Sequence, residues 1–291
     1  MTTETLENHS NQELKQAPQK RKKVSIGPVM EFRREGIELI DMFIIPKTKS
    51  LMVNIPNRNL SSELIAELIN TFQWCQEHTE VKTLIINPQS EIYPEFYFED
   101  LAGRDQKEIE KYFQSFLELQ TLFHNLPQLT VFNLSNCESY AFFELSLAAD
   151  MRLASEFINV PMPMIKRGLF PMAGTLAMMN EKQSESLKQA VYLSKDLNIE
   201  TLIKLDLTTE VYKKSSKQIN QILRANHEAL SEVRASLKFL NSRHEKFEHF
   251  SKLSLETNKK LLATNEFRMR YETQKAQIID LNREKLLRQA L

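Results

Sequence analysis

Glycine is scarce in this 291-residue chain. Five of them, Gly27, Gly36, Gly103, Gly168 and Gly174, stand where average usage of about 7% would give roughly twenty. Segments that need positive φ or a close backbone approach to a ligand recruit glycine, so few such segments exist, and neither a P-loop nor a GxGxxG turn can be written with these positions. Cysteine is limited to Cys75 and Cys137. They lie far apart and Cys75 falls in a helical pattern, which points to a reduced, cytoplasmic setting rather than a disulfide framework. Net charge is absent too: Lys+Arg and Asp+Glu both total 38, leaving no whole-chain field to attract nucleic acid or an anionic membrane. No apolar run approaches the roughly 18 residues of a bilayer span, and the opening "MTTETLENHSNQELKQ" lacks the apolar centre of a signal peptide. The string "HEKFEH" (His244–His249) holds histidines five apart. On a helix these diverge by about 140°, so neither a metal site nor a resident cofactor is expected.

What remains is ordinary globular material, 42% hydrophobic and 26% charged. Residues 1–30 read as a disordered polar tail carrying the basic cluster Lys20–Lys23. From Gly36 the chain changes character. "IELIDMFII" and "SLMVNI", separated by Pro-Lys-Thr-Lys, predict a hairpin-like strand pair. "SSELIAELINTFQWCQEH" spaces Leu64, Ile65, Leu68, Ile69, Phe72 and Cys75 as one helical face, with Ser61 or Ser62 as N-cap. Strand "VKTLIINP", helix "KEIEKYFQSFLELQTLFHNL", strand "LTVFNLS", a buried helix from Glu144 to Ala149 and strand "MRLAS" follow. This alternation predicts an α/β class. From Ser184 onward the pattern is almost wholly helical.

Several strings in that order resemble the crotonase (enoyl-CoA hydratase/isomerase) superfamily. "EVKTLIIN" (Glu80–Asn87) is similar to its "xVRxVVLTG" strand, "AADMRLASE" (Ala148–Glu156) to its "CDxRIASE" string, "PMIKRGLFPMAGT" (Pro163–Thr175) to "PExxLGLxPGAGGT", and "DLTTEVY" (Asp206–Tyr212) to "GLVxxVV". The resemblance implies a ββα spiral core over residues 31–215 and a C-terminal helical region over 216–291 that covers the pocket and builds a trimer or hexamer. It also implies a place in fatty-acid metabolism, with an acyl-CoA or fatty acyl ligand.

The same resemblance marks where chemistry is missing. Crotonases polarise a CoA thioester with two backbone N–H groups. The first loop, typically "AGAD", falls here on Phe96, Tyr97 and Phe98; the second, typically "GGG", falls on Tyr140, Ala141 and Phe142. Aromatics in these turns restrict φ and put bulk where the thioester must approach. Of the two carboxylates that family hydratases use on one water, the first falls on Glu144 and the second on Met164, whose thioether moves no proton. Glu144 has a plain reading as well, a carboxylate in the first turn of a helix. Arg58, Lys166 and Arg167 are candidate contacts for CoA phosphates, or coating of loops. The expectation is a cytoplasmic, homo-oligomeric, crotonase-like pseudoenzyme that binds or regulates a protein partner. The alternative is an acyl-CoA enzyme using Glu144, of the thioester-hydrolase or fatty-acid signal synthase type.

Overall fold

A computed structural model describes residues 28–56, 60–89, 104–135, 139–179, 185–208, 216–226, 229–230, 232–234, 236, 243–270 and 272–273. Its spine is a six-stranded sheet in simple chain order, formed by β1 (Met30–Phe32), β2 (Asp41–Ile45), β3 (Ser50–Ile55), β4 (Thr83–Pro88), β5 (Leu129–Asn133) and β6 (Met151–Leu153). The first two pairings are antiparallel and the last three parallel. Parallel neighbours require a crossover, and each of the three contains a helix: α1 (Ser62–Glu77) lies between β3 and β4, and α2 (Gln106–Asn125) between β4 and β5. The short α3 (Tyr140–Ser146) joins β5 to β6.

Side-chain alternation explains how one sheet serves two cores. Leu51, Val53 and Ile55 of β3, Leu84 and Ile86 of β4 and Phe132 of β5 enter the main core under α1 and α2. Ile45, Ile85, Leu129, Val131 and Leu153 point the other way, into a second cluster closed by Ile219 and Leu223 of α7 (Ser216–Leu223). Between these parts lie β7 (Asn159–Val160), α4 (Ala173–Met179), α5 (Glu185–Tyr192), β8 (Leu197–Asn198) and α6 (Ile199–Lys204).

Caps set the helix starts. Ser61 accepts from the Leu64 N–H at 3.2 Å, and Asp105 and Glu108 form a reciprocal capping box at 2.9 and 3.0 Å. Positive φ is met largely without glycine: Lys49, Ser194 and Asp206 adopt 47°, 48° and 55° beside Gly36 and Gly168.

The long C-terminal helix α8 (Arg243–Leu262) is part of this chain's own core. Phe247, Leu262 and the following Phe267 are buried with the main cluster. Polar pins reinforce it: Ser254 Oγ donates to the Pro171 carbonyl at 3.0 Å, and Asn258 bonds both the N–H and the carbonyl of Phe170, at 2.9 and 3.2 Å. Upstream, the buried Arg234 guanidinium pairs with Asp150 and donates to the Leu126 carbonyl at 2.6 Å. Asp150 in turn accepts from the N–H and hydroxyl of Thr130, both at 2.8 Å.

The structure refines four readings. Strand β1 lies at the border of the segment expected to be a tail. The strand expected from Ile37 begins only at Asp41, because Arg34 to Ile40 is spent on turning at Gly36. The two-residue β8, pairing antiparallel with β7, interrupts the region from Ser184 that was expected to be almost wholly helical. The helix expected from Glu144 begins at Tyr140, since burial of Tyr140, Phe142 and Phe143 is best met by coiling that stretch, with the Phe143 N–H donating to the Ser139 carbonyl at 2.9 Å.

Candidate functional site

Because α3 starts four residues early, Glu144 is not in its first turn. It stands fifth in the helix, aimed at the beginning of α4. Both carboxylate oxygens are taken by a single residue there: Thr175 donates its N–H to Oε1 at 3.1 Å and to Oε2 at 2.9 Å, and its hydroxyl to Oε2 at 2.8 Å. Thr175 is the third residue of α4, so the carboxylate satisfies an orphan donor of that helix and meets the positive end of its dipole. Glu144 has no exposed surface. Burial pushes its pKa up to about 7 against the counter-pull of the two Thr175 donors.

The surroundings are tight and polar. Gln120 of α2, also fully buried, donates Nε2 to the Glu144 carbonyl at 2.7 Å. The Tyr140 phenol is buried, and burial followed by the nearby Glu144 carboxylate raises its pKa well above the ordinary range. Gly174 lets the two helices touch: a Cβ there would lie 2.8 Å from Leu147 Cβ, 2.9 Å from Gln120 Nε2 and 3.0 Å from the Glu144 carbonyl oxygen. Among the described residues, Gln120 Oε1 and Ser139 Oγ of the cluster find no hydrogen-bond partner.

Of the second loop, Ala141 and Phe142 are buried. The Phe142 ring is buried in the main core. It continues an aromatic series through the main core, 6.5 Å from Phe132, which is 6.2 Å from Phe123, which stacks 4.8 Å from Phe72. Met164 is buried in the same core. Lys166 is exposed, whereas Arg167 is 6% exposed and so does not coat the loop. Phe96, Tyr97, Phe98, Arg58, Cys137 and the basic cluster Lys20–Lys23 lie outside the described residues.

The sequence reading missed Thr175, Gln120 and Tyr140 as partners of Glu144. The one local signal for Thr175 was its place at the end of "MAGT", just after the glycine that permits close packing.

Other chemistry finds little support. Cys75 is buried, and burial pushes its thiol up to about 12, far from thiolate reactivity. Among the described residues no cluster of His, Cys, Asp or Glu could hold a metal ion, and no helix is long and apolar enough to cross a membrane. An open groove of about 390 Å³ runs between α1, α2 and α8, lined by Leu117, Glu118, Leu122 and Leu255 among others; none of the predicted site residues lines it.

No family model matches the sequence, and no curated protein matches it. Solved structures do. An enoyl-CoA hydratase from Bacillus halodurans superposes with a TM-score of 0.67 at 14% identity, over 84% of this chain and 99% of that one. An enoyl-CoA hydratase/isomerase from Mycobacterium paratuberculosis gives 0.66 at 13%, over 82% and 100%. An enoyl-CoA hydratase/isomerase from Pseudoalteromonas atlantica gives 0.63 at 15%, over 80% and 95%. The fold is therefore the crotonase fold, as the four sequence strings implied.

Proposed function

We propose that this crotonase-fold chain is a non-catalytic binding or regulatory protein. The observation that carries the reading is the commitment of Glu144, the one carboxylate at an expected catalytic position, to the N-terminus of α4 through Thr175. A general base must reach the proton it removes at about 2.6–3.2 Å, and a carboxylate with no exposed surface and both oxygens occupied is poorly placed to do so. Met164 in the core adds no second proton-transfer group. Loss of one oxyanion donor typically costs about 10²- to 10³-fold in rate, so alterations at both loops deepen the deficit. The protein partner would be met as a homo-oligomer, trimer or hexamer, with a fatty acyl or acyl-CoA ligand as its small-molecule input.

One observation favours the alternative, an acyl-CoA-processing enzyme using Glu144: a carboxyl with a pKa of about 7 suits proton transfer at neutral pH. The two readings separate in one experiment. The full chain is titrated by calorimetry with CoA thioesters from four to sixteen carbons, and each mixture is analysed by mass spectrometry after overnight incubation. The proposal expects every thioester to be recovered unchanged, whether or not it binds. Conversion of any thioester at a rate proportional to protein concentration would overturn it in favour of the enzyme.

A further inference from the structure

The open groove between α1, α2 and α8 crosses a face of α2 that Gln120 does not share. Leu117, Leu122 and Leu255 make its floor, and the exposed Gln76, Glu118 and Lys252 stand on its rim. Its place in the fold separates it from the turns expected to be catalytic. Gln76 and Asn125, which also line it, lie at the ends of α1 and α2 that feed the starts of β4 and β5, and Gln128 ties those ends together by donating to the Cys75 carbonyl at 2.6 Å. Tyr140, Ala141 and Phe142 follow the opposite end of β5. An apolar groove between helices suits an amphipathic helix as its occupant.

The polar groups of the groove say what that helix carries. Glu118 and Asn125 are two helical turns apart on one face of α2, and the buried Asn125 Oδ1 finds no hydrogen-bond partner among the described residues. Beside them, α1 carries Glu63, Glu67 and Glu77 and no Lys or Arg. The matching occupant is an apolar stripe with a cation set within it. Such a stripe is written in this chain beyond the described residues. The segment 274–291, "QKAQIIDLNREKLLRQAL", holds four basic and two acidic residues. Its Ile279, Arg283, Leu286 and Ala290 recur at i, i+4, i+7 and i+11, the spacing of one helical face.

The segment starts within reach. Asn258 of α8 holds Phe170, and Arg270 donates to the Lys166 carbonyl at 2.6 Å, so the chain beyond Thr273 sets out beside the C-terminal half of α8. Leu255 lies only about 10 Å along that helix from its end at Leu262. The five residues before Ile279 span up to about 18 Å when extended. We propose that residues 274–291 dock as an amphipathic helix in this groove of their own chain, with Ile279 and Leu286 on the leucine floor and Arg283 between Glu118 and Asn125. The segment is then a strap that competes with any partner helix for the same groove. It stands whether or not Glu144 turns over a thioester.

Amide hydrogen exchange of the full chain, read by mass spectrometry, tests the strap. An isolated helix of this length is marginal in water, so docking should slow the amides of 279–290 by about tenfold or more relative to an unstructured peptide. Arg283→Glu and Glu118→Arg each bring like charges together and should return the segment to the unstructured rate. Leu286→Ser, which removes an apolar anchor, should do the same. The double variant Glu118→Arg with Arg283→Glu should recover the protection, and the Leu51–Ile55 amides of β3 should hold steady throughout. Exchange of the wild-type segment at the unstructured rate, protection that survives the single charge reversals, or failure of the double variant to recover it would overturn the proposal. So would protection lost on dilution by about a hundredfold, which would seat the segment in the groove of a second copy.

Discussion

Glu144 and Thr175, 31 residues apart, bind each other through every hydrogen-bonding atom that the threonine can offer as a donor: its N–H reaches both carboxylate oxygens and its hydroxyl reaches one, at 2.8 to 3.1 Å. The carboxylate thus does for α4 what an N-cap side chain does from the adjacent turn. Thr175→Val keeps the shape and the N–H but removes the hydroxyl. A hydrogen bond to a charged group contributes about 1.5–3 kcal/mol, so urea unfolding at pH 8 should show a loss of about 2 kcal/mol, and Thr175→Ser should recover most of it.

Gly174 sets the distance over which that contact can form. Adding only a methyl group places Cβ within 3.0 Å of three atoms, one of them the Glu144 carbonyl oxygen and another the Cβ of Leu147. Overpacking of this kind costs about 1–3 kcal/mol. Gly174→Ala should therefore lower the midpoint of thermal unfolding although alanine favours helix, and an unchanged or raised midpoint would mean that the two helices separate without penalty.

Phe142 is buried in the main core beside Phe132. Phe142→Ala should cost about 3–5 kcal/mol in equilibrium unfolding and should not create thioester turnover. Stability within about 0.5 kcal/mol of wild type, as for an exposed surface residue, would return the ring to the role that the loop resemblance suggested.

Met164→Glu restores on paper the second carboxylate of a hydratase. In the buried setting of Met164 a new carboxylate faces the cost of desolvation and takes up a proton instead. The variant should be less stable, and the absorbance of crotonyl-CoA should not decay faster than with wild type. Hydration appearing in this single variant would show that the loops are competent.

Much of the scaffold was legible in the sequence because it is local or periodic. The face of α1 from Leu64 to Cys75, the Ser61 cap and the strands of "VKTLIINP" and "LTVFNLS" all lie where the spacing predicts. The capping box of α2 was also written in the chain, as Asp105 and Glu108, and went unread. The short β1 was hidden because a three-residue "MEF" beside charged neighbours has no period to detect. The site resisted for a different reason. Its partners meet only on folding: Thr175 reaches Glu144 across 31 residues and Gln120 across 24. The place of the Phe142 ring was hidden for the same reason: only the start of the helix at Tyr140 turns it toward Phe132.

The central claim is that Glu144 serves the fold and not a substrate. The most direct measurement pairs crotonyl-CoA hydration with thermal unfolding at pH 8 for wild type and Glu144→Gln. The account predicts equal, background hydration from both proteins together with an altered unfolding midpoint, because the substitution removes a buried charge from the N-terminus of α4. Robust wild-type hydration that Glu144→Gln abolishes, with the unfolding midpoint unmoved, would contradict it.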